Sequence, residues 1–173
     1  MAIDTRDAAR YLECEGKVTM GYRVQVVELH MVRERTITIA AERVSGPVDA
    51  LAIAQGMIGA SPTEIMLAIM IDARGNVRQV AEISRGGVSG ASLTMADMFR
   101  PAIACAASAI VLAHNHPSGD PMPSAADIDL TRKAREAGAL LGVSVVDHAI
   151  VTSDARRWSS AVQWPESWSG ALS

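Results

Sequence analysis

Two short, unbroken apolar runs constrain this chain more than any other feature. Residues 64–72 read Glu-Ile-Met-Leu-Ala-Ile-Met-Ile-Asp, and residues 109–114 read Ala-Ile-Val-Leu-Ala-His. Each is too short for a typical helix, so each reads as a strand inside a core. Turn chemistry at Asp72-Ala-Arg-Gly-Asn76 follows the first run, and Val77 to Ser84 returns as a second strand, which predicts a hairpin.

Helical signals fall between the strands. Pro47 suits the first position of a helix running to about Ile58, with Gly59 as its stop. Thr94 is placed to cap a helix reaching about Ser108, and Ser124 to about Leu141 reads as a third helix, ended by Gly142. Tyr22 to Met31 is rich in β-branched residues and reads as an opening strand, with a continuation into residues 36–41. Val143 to Val151 reads as the last core strand. The order β-α-β-β-α-β-α-β predicts an α/β fold, a mixed central β-sheet flanked by helices. Residues 1–20 read as an N-terminal arm, residues 21–155 as the folded domain, and residues 156–173 as a tail whose Trp158, Trp164 and Trp168 pack over an edge.

Bulk composition bounds the partners. The 173 residues are 49% hydrophobic and 20% charged, which suits one folded domain rather than a disordered chain. A formal charge of -3 gives no basic excess for nucleic acid. Cys14 and Cys105 are far apart and form no CxxC, so a reducing compartment is expected. The N-terminus has no apolar signal-peptide core and no run approaches a membrane span, so the expectation is cytoplasmic, without a membrane partner. An oligomer is compatible with all of this.

The chemistry concentrates in residues 113–127, Ala-His-Asn-His-Pro-Ser-Gly-Asp-Pro-Met-Pro-Ser-Ala-Ala-Asp. His114 and His116, two residues apart at the end of a strand, point to the same side of a sheet. Each offers a neutral nitrogen to a metal. Asp127 lies at the N-terminal edge of an expected apolar helix stripe formed by Leu130, Ala134, Ala137 and Leu141, so it faces the fold and needs a cationic partner. Two His and one Asp leave a fourth tetrahedral position open, which marks a catalytic zinc, one Zn2+ per chain. Glu64, a charge set just before an apolar strand, is the candidate general base, with Glu82 a weaker rival. Ser124 can donate to a developing oxyanion. Ser84, Arg85 and His148 are candidates for substrate contact.

Plainer readings stand beside these. Ser124-x-x-Asp127 is also a capping box. The two histidines can anchor a loop, Glu64 can simply face water, and His148 with Asp147 can form a structural pair. His30 reads as structural. No HExxH or GxGxxG is present, and neither is the H-x-E with P-C-x-x-C of the zinc deaminases. The letters His114-Asn-His116 do not make an HNH nuclease.

The spacing His114-x-His116-Pro, Ser124-x-x-Asp127 with an upstream Glu64 resembles the JAMM motif of the JAB/MPN metallopeptidases. The fuller pattern resembles the RadC family within that group: Glu82-Ile-Ser-Arg-Gly86, His114-Asn-His-Pro-Ser-Gly-Asp-Pro121, Pro123-Ser124, Asp127, Thr131 and Asp147-His148-Ala-Ile150. The resemblance spans about residues 22–152. It implies a cytidine-deaminase-like α/β/α fold. It also implies zinc on His114, His116 and Asp127, Glu64 as acid/base and Ser124 as oxyanion helper. The activity so implied is zinc-dependent cleavage of a peptide or isopeptide bond, in a peptide or protein substrate that includes ubiquitin-like conjugates. The longer RadC pattern has an N-terminal part with helix-hairpin-helix-like segments that this sequence lacks, which weakens a DNA role. The competing expectation is a nucleic-acid accessory protein using Arg132, Arg135, Arg156 and Arg157.

Overall fold

The computed structural model describes residues 24–26, 35–39, 42–86 and 93–162. Internal contacts divide the chain into residues 1–32 and 33–173. The expected arm 1–20, His30, Trp164 and Trp168 lie outside the described residues. Of the expected strand 22–31 only 24–26 are described, and neither they nor residues 35–39 carry regular structure.

The apolar runs form adjacent strands at the centre of the sheet. β1 (Ile65–Ile71) and β3 (Ala109–Asn115) are buried at every residue and pair antiparallel, Met66 opposite His114 and Ile71 opposite Ala109. β2 (Val77–Arg85) pairs antiparallel with the other side of β1. The turn between them is built by Asp72, whose Oδ1 accepts from the amides of Arg74 (2.8 Å) and Asn76 (2.9 Å). Gly75, at φ 81°, supplies the left-handed residue that turn requires. β4 (Ser144–Val151) lies parallel to β3, and β5 (Trp158–Ser160) antiparallel to β4, so the strand order is β2-β1-β3-β4-β5. The expected mixed sheet is therefore present, with an added edge strand. Trp158 joins that edge by backbone pairing with Val151.

Helices cover both faces. α1 (Pro47–Ile58) packs Ala50 and Ile53 against Ile69, Ile71, Val111 and Val146, and Leu51, Ala54 and Ile58 against Ile65, Leu67, Ala113 and Val151. The alternate residues Met66, Ala68, Met70, Ile110 and Leu112 point the other way, onto Met98, Phe99 and Ala102 of α2 (Met95–Ala104) and Ala134 of α3 (Ala125–Leu141). Period-two alternation in fully apolar strands thus produces two cores, one on each side of the sheet. No helix among the described residues is long and apolar enough to cross a membrane.

Three local details differ from the sequence reading. α2 ends at Ala104 rather than near Ser108, because the chain turns at Ala106 with φ 52°. The fully buried stripe of α3 is Asp127, Thr131, Ala134 and Gly138; of the expected Leu130–Ala134–Ala137–Leu141, Leu130 and Ala137 pack against the core partly buried and Leu141 is exposed. Small side chains let this helix approach the sheet. A Cβ on Gly138 would lie 2.4 Å from the Val143 carbonyl oxygen. The third detail is a register shift between β3 and β4: Ile110 faces Val145 but Val111 faces Asp147. The extra residue, Val146, reverses the parity of β4, so His148 and Ile150, not Asp147, share the face of Leu112 and His114.

Candidate metal centre

The fold delivers three side chains to one point from separate segments. His114 is the penultimate residue of β3, fully buried on the α2/α3 face. His116 follows one residue beyond the strand, where its amide bonds the Val151 carbonyl (2.9 Å), which continues the parallel ladder and keeps its ring on the same side. Asp127 sits in the first turn of α3 and is 2% exposed. Their ligand atoms all lie within 4.8 Å of one another, a group that can hold a metal ion. His114 Nε2 is 2.8 Å from His116 Nε2 and 3.4 Å from Asp127 Oδ1, and His116 Nε2 is 3.6 Å from Asp127 Oδ2. Tetrahedral ligands at 2.0–2.1 Å from zinc stand about 3.3 Å apart. Two of the three separations match that spacing and the His–His separation is tighter.

The protonation states suit a cation. Burial pushes His114 down to about 4, further lowered by His116 and opposed by Asp127. Burial alone would raise the Asp127 carboxyl, but the Ser124 hydroxyl, His114 and the Ser124 amide bring it below the usual carboxylate value. At neutral pH His114 is therefore an uncharged imidazole and Asp127 an ionised carboxylate, the forms that ligate metals. His116 Nδ1 lies 2.6 Å from the Asp120 carbonyl oxygen, which only accepts, so Nδ1 donates to it and Nε2 is the ring atom turned towards the site.

Ser124 and Asp127 form a reciprocal cap. The Ser124 hydroxyl accepts from the Asp127 amide (3.2 Å) and donates to Asp127 Oδ2 (2.6 Å), and the Ser124 amide donates to the same oxygen (2.7 Å). Capping and ligand presentation are thus one arrangement here: the cap holds the carboxylate against the histidines.

Glu64 immediately precedes β1, half-buried, with its carbonyl accepting from the Gly86 amide (2.8 Å). The pleat puts it on the face of Met66, hence of His114. Asn115 pins that segment. Its Oδ1 accepts from Ile65 N (2.8 Å), and its Nδ2 donates to the carbonyls of Ser61 and Thr63 (both 3.1 Å). Sequence reasoning gave Asn115 no role, although a polar residue between two candidate ligands at a strand end was the available signal.

The remaining candidates separate. Ser84 pairs with Met66 and so lies in the row Ser84–Met66–His114, about 10 Å from His114 at two strand spacings. Arg85 and Glu82 pair with Ile65 and Leu67 on the opposite face, and bind each other through two bonds of 2.8 and 2.6 Å. His148 has no exposed surface, so it cannot touch a substrate. It contacts His114 Nδ1 (2.8 Å) and Thr131 Oγ1 (2.6 Å) from behind, while Asp147 bonds the His148 backbone and the Ser160 hydroxyl rather than the imidazole. Arg132 is spent on Asp129 and Glu136, and Arg156 on Asp154.

A family model described as the RadC-like JAB domain matches residues 44–163. The chain is 32% identical over 143 residues to a UPF0758 protein of Marinobacter nauticus, covering 83% of this chain and 60% of that protein. Over 88 residues it is 42% identical to a UPF0758 protein of Geotalea uraniireducens, covering 51% of this chain and 39% of that one. A third UPF0758 protein, from Trichlorobacter lovleyi, is 29% identical over 143 residues, with 83% and 58% covered. The chain thus spans about half the length of these relatives.

Proposed function

The chain belongs to the RadC-like JAB domain family, and from that membership we propose that it is a zinc-dependent hydrolase of the JAMM type, cleaving a peptide or isopeptide bond. The observation that carries this reading is the convergence of ligand atoms of His114, His116 and Asp127 within 4.8 Å of one another. Zinc there would supply a Lewis acid that makes water a usable nucleophile near neutral pH.

The protein's own side chains supply the rest. Glu64, on the face of His114, accepts the proton of the attacking water and returns it to the leaving amine. Ser124, at the exposed start of α3, turns its one hydroxyl hydrogen from Asp127 Oδ2 to the carbonyl oxygen as charge develops there. Among the described residues β2 is the last strand on its side of the sheet, with Glu42 bonded to its first residue Val77, and the edge beyond Val77 suits an extended substrate segment. The substrate class is a peptide or protein, ubiquitin-like conjugates included. Against the nucleic-acid reading, two of its four arginines, Arg132 and Arg156, pair with neighbouring carboxylates. The widely separated cysteines support a reducing, cytoplasmic setting.

The test is metal content together with turnover of a quenched-fluorescent peptide and isopeptide panel. Glu64→Gln should retain zinc and lose turnover by about 100-fold or more. A Glu64→Gln protein that cleaves at the parent rate would remove Glu64 from the mechanism. A parent that hydrolyses equally well after chelation would remove the metal.

A further inference from the structure

His148 is fully buried behind His114, and both of its ring nitrogens are engaged. The direction of these bonds follows from the far end of the chain. Thr131 Oγ1 lies 2.6 Å from the Asp127 carbonyl oxygen. A carbonyl only accepts, so the single hydroxyl proton of Thr131 goes there. Thr131 Oγ1, 2.6 Å from His148 Nδ1, must then accept, which places a hydrogen on His148 Nδ1. In a neutral ring, Nε2 is left as an acceptor, and it receives the hydrogen of His114 Nδ1 across 2.8 Å. His114 then has only a lone pair on Nε2, the atom that faces His116 and Asp127.

We propose that Thr131 and His148 are positioning residues that lock the tautomer of His114, so that its Nε2 lone pair is aimed at the metal. The relay begins and ends on one residue. The Asp127 backbone carbonyl orients Thr131, and the Asp127 carboxylate stands beside the Nε2 that the relay exposes. Two features of the fold build it. Thr131 lies one helical turn after Asp127 on the buried stripe of α3, and the extra residue Val146 turns His148 onto that face. A partner on the non-ligating nitrogen fixes ring orientation and raises ligand basicity. The inference rests on the metal-site reading above.

The test uses the full chain. Zinc affinity is measured by competition with a chromogenic chelator, and heteronuclear NMR of the ring nitrogens reads the tautomers with and without zinc. The hydrogen of His148 is expected on Nδ1 in both conditions. Thr131→Ser should bind zinc within about threefold of the parent, whereas Thr131→Val, equal in shape, should bind about 10- to 100-fold more weakly. His148→Gln, which puts an amide oxygen where Nε2 accepted, should recover most of the affinity lost in His148→Leu. A hydrogen on His148 Nε2, or parental affinity in Thr131→Val, overturns the proposal. Circular dichroism confirms that each variant folds, and if His148→Leu does not, the Thr131 pair and the parental NMR decide. A parent that takes up no zinc would sink the hydrolase reading, while the His148 tautomer in the chelator-treated chain still decides the relay.

Discussion

Replacing Ser124 with Ala separates the two duties this residue combines. The substitution removes one bond from the Asp127 amide to the hydroxyl (3.2 Å) and one from the hydroxyl to Asp127 Oδ2 (2.6 Å). The amide bond of Ser124 to the same carboxylate oxygen (2.7 Å) survives, because an Ala backbone still makes it. Loss of an N-cap side chain costs about 1 kcal/mol. The second bond is to an ionised group, worth about 1.5–3 kcal/mol when buried, but Ser124 is exposed and water replaces much of it. The sum is about 1–2 kcal/mol, a fall in Tm of roughly 2–8 °C for a domain of this size. Thermal unfolding of the chelator-treated protein reads the cap without interference from metal binding. Ser124→Thr, which keeps the hydroxyl, should melt near the parent. An unchanged Tm in Ser124→Ala, accompanied by loss of turnover, would refute the claim that the hydroxyl holds Asp127 and would give it wholly to the substrate.

Two further outcomes follow from burial. His114 and His148 have folded values of about 4 and about 3 against an ordinary 6.5, in each case mainly through burial, so the unfolded chain takes up protons first as pH falls. Stability of the chelator-treated protein should therefore be flat above about pH 7.5 and decline towards pH 4, by up to about 4 kcal/mol for the two groups at pH 5. Urea unfolding across that range checks it, and a stability independent of pH between 7 and 5 would contradict the buried, neutral imidazoles. Gly138→Ala should destabilise by about 1–3 kcal/mol despite the higher helix propensity of Ala. The added Cβ would meet the Val143 carbonyl at 2.4 Å, a backbone atom that cannot swing aside. A raised Tm would show that α3 lies farther from the sheet.

How much of this was legible in the sequence depends on the range of the forces involved. The short apolar runs at 64–72 and 109–114 announced the buried strands Ile65–Ile71 and Ala109–Asn115. The candidate group of His114, His116 and Asp127 was legible because short spacings place its members. His114 and His116 share a side of a strand, and Ser124-x-x-Asp127 brings a carboxylate to the start of a helix. What escaped was set by contacts distant in sequence. The extra residue at Val146 has no local signature, yet it decides that His148 rather than Asp147 meets His114. The buried stripe of α3 ends on Gly138, where the lack of a Cβ permits a close approach to the Val143 carbonyl, and this leaves Leu141 exposed. β5 pairs along only three residues, Trp158–Ser160, too short a stretch for periodicity to reveal. Arg85 read as a candidate because a guanidinium near the cleft can hold a substrate carboxylate or carbonyl, but the pairing of Ile65 with Arg85 turns it to the other face.

The most direct measurement is zinc content per chain after reconstitution and desalting, in the parent and in His114→Ala and Asp127→Asn. Occupancy near one zinc per parent chain, falling close to zero in both folded variants, is the expected result. A parent that retains no zinc, or variants that retain as much as the parent, would contradict a metal centre built on His114, His116 and Asp127.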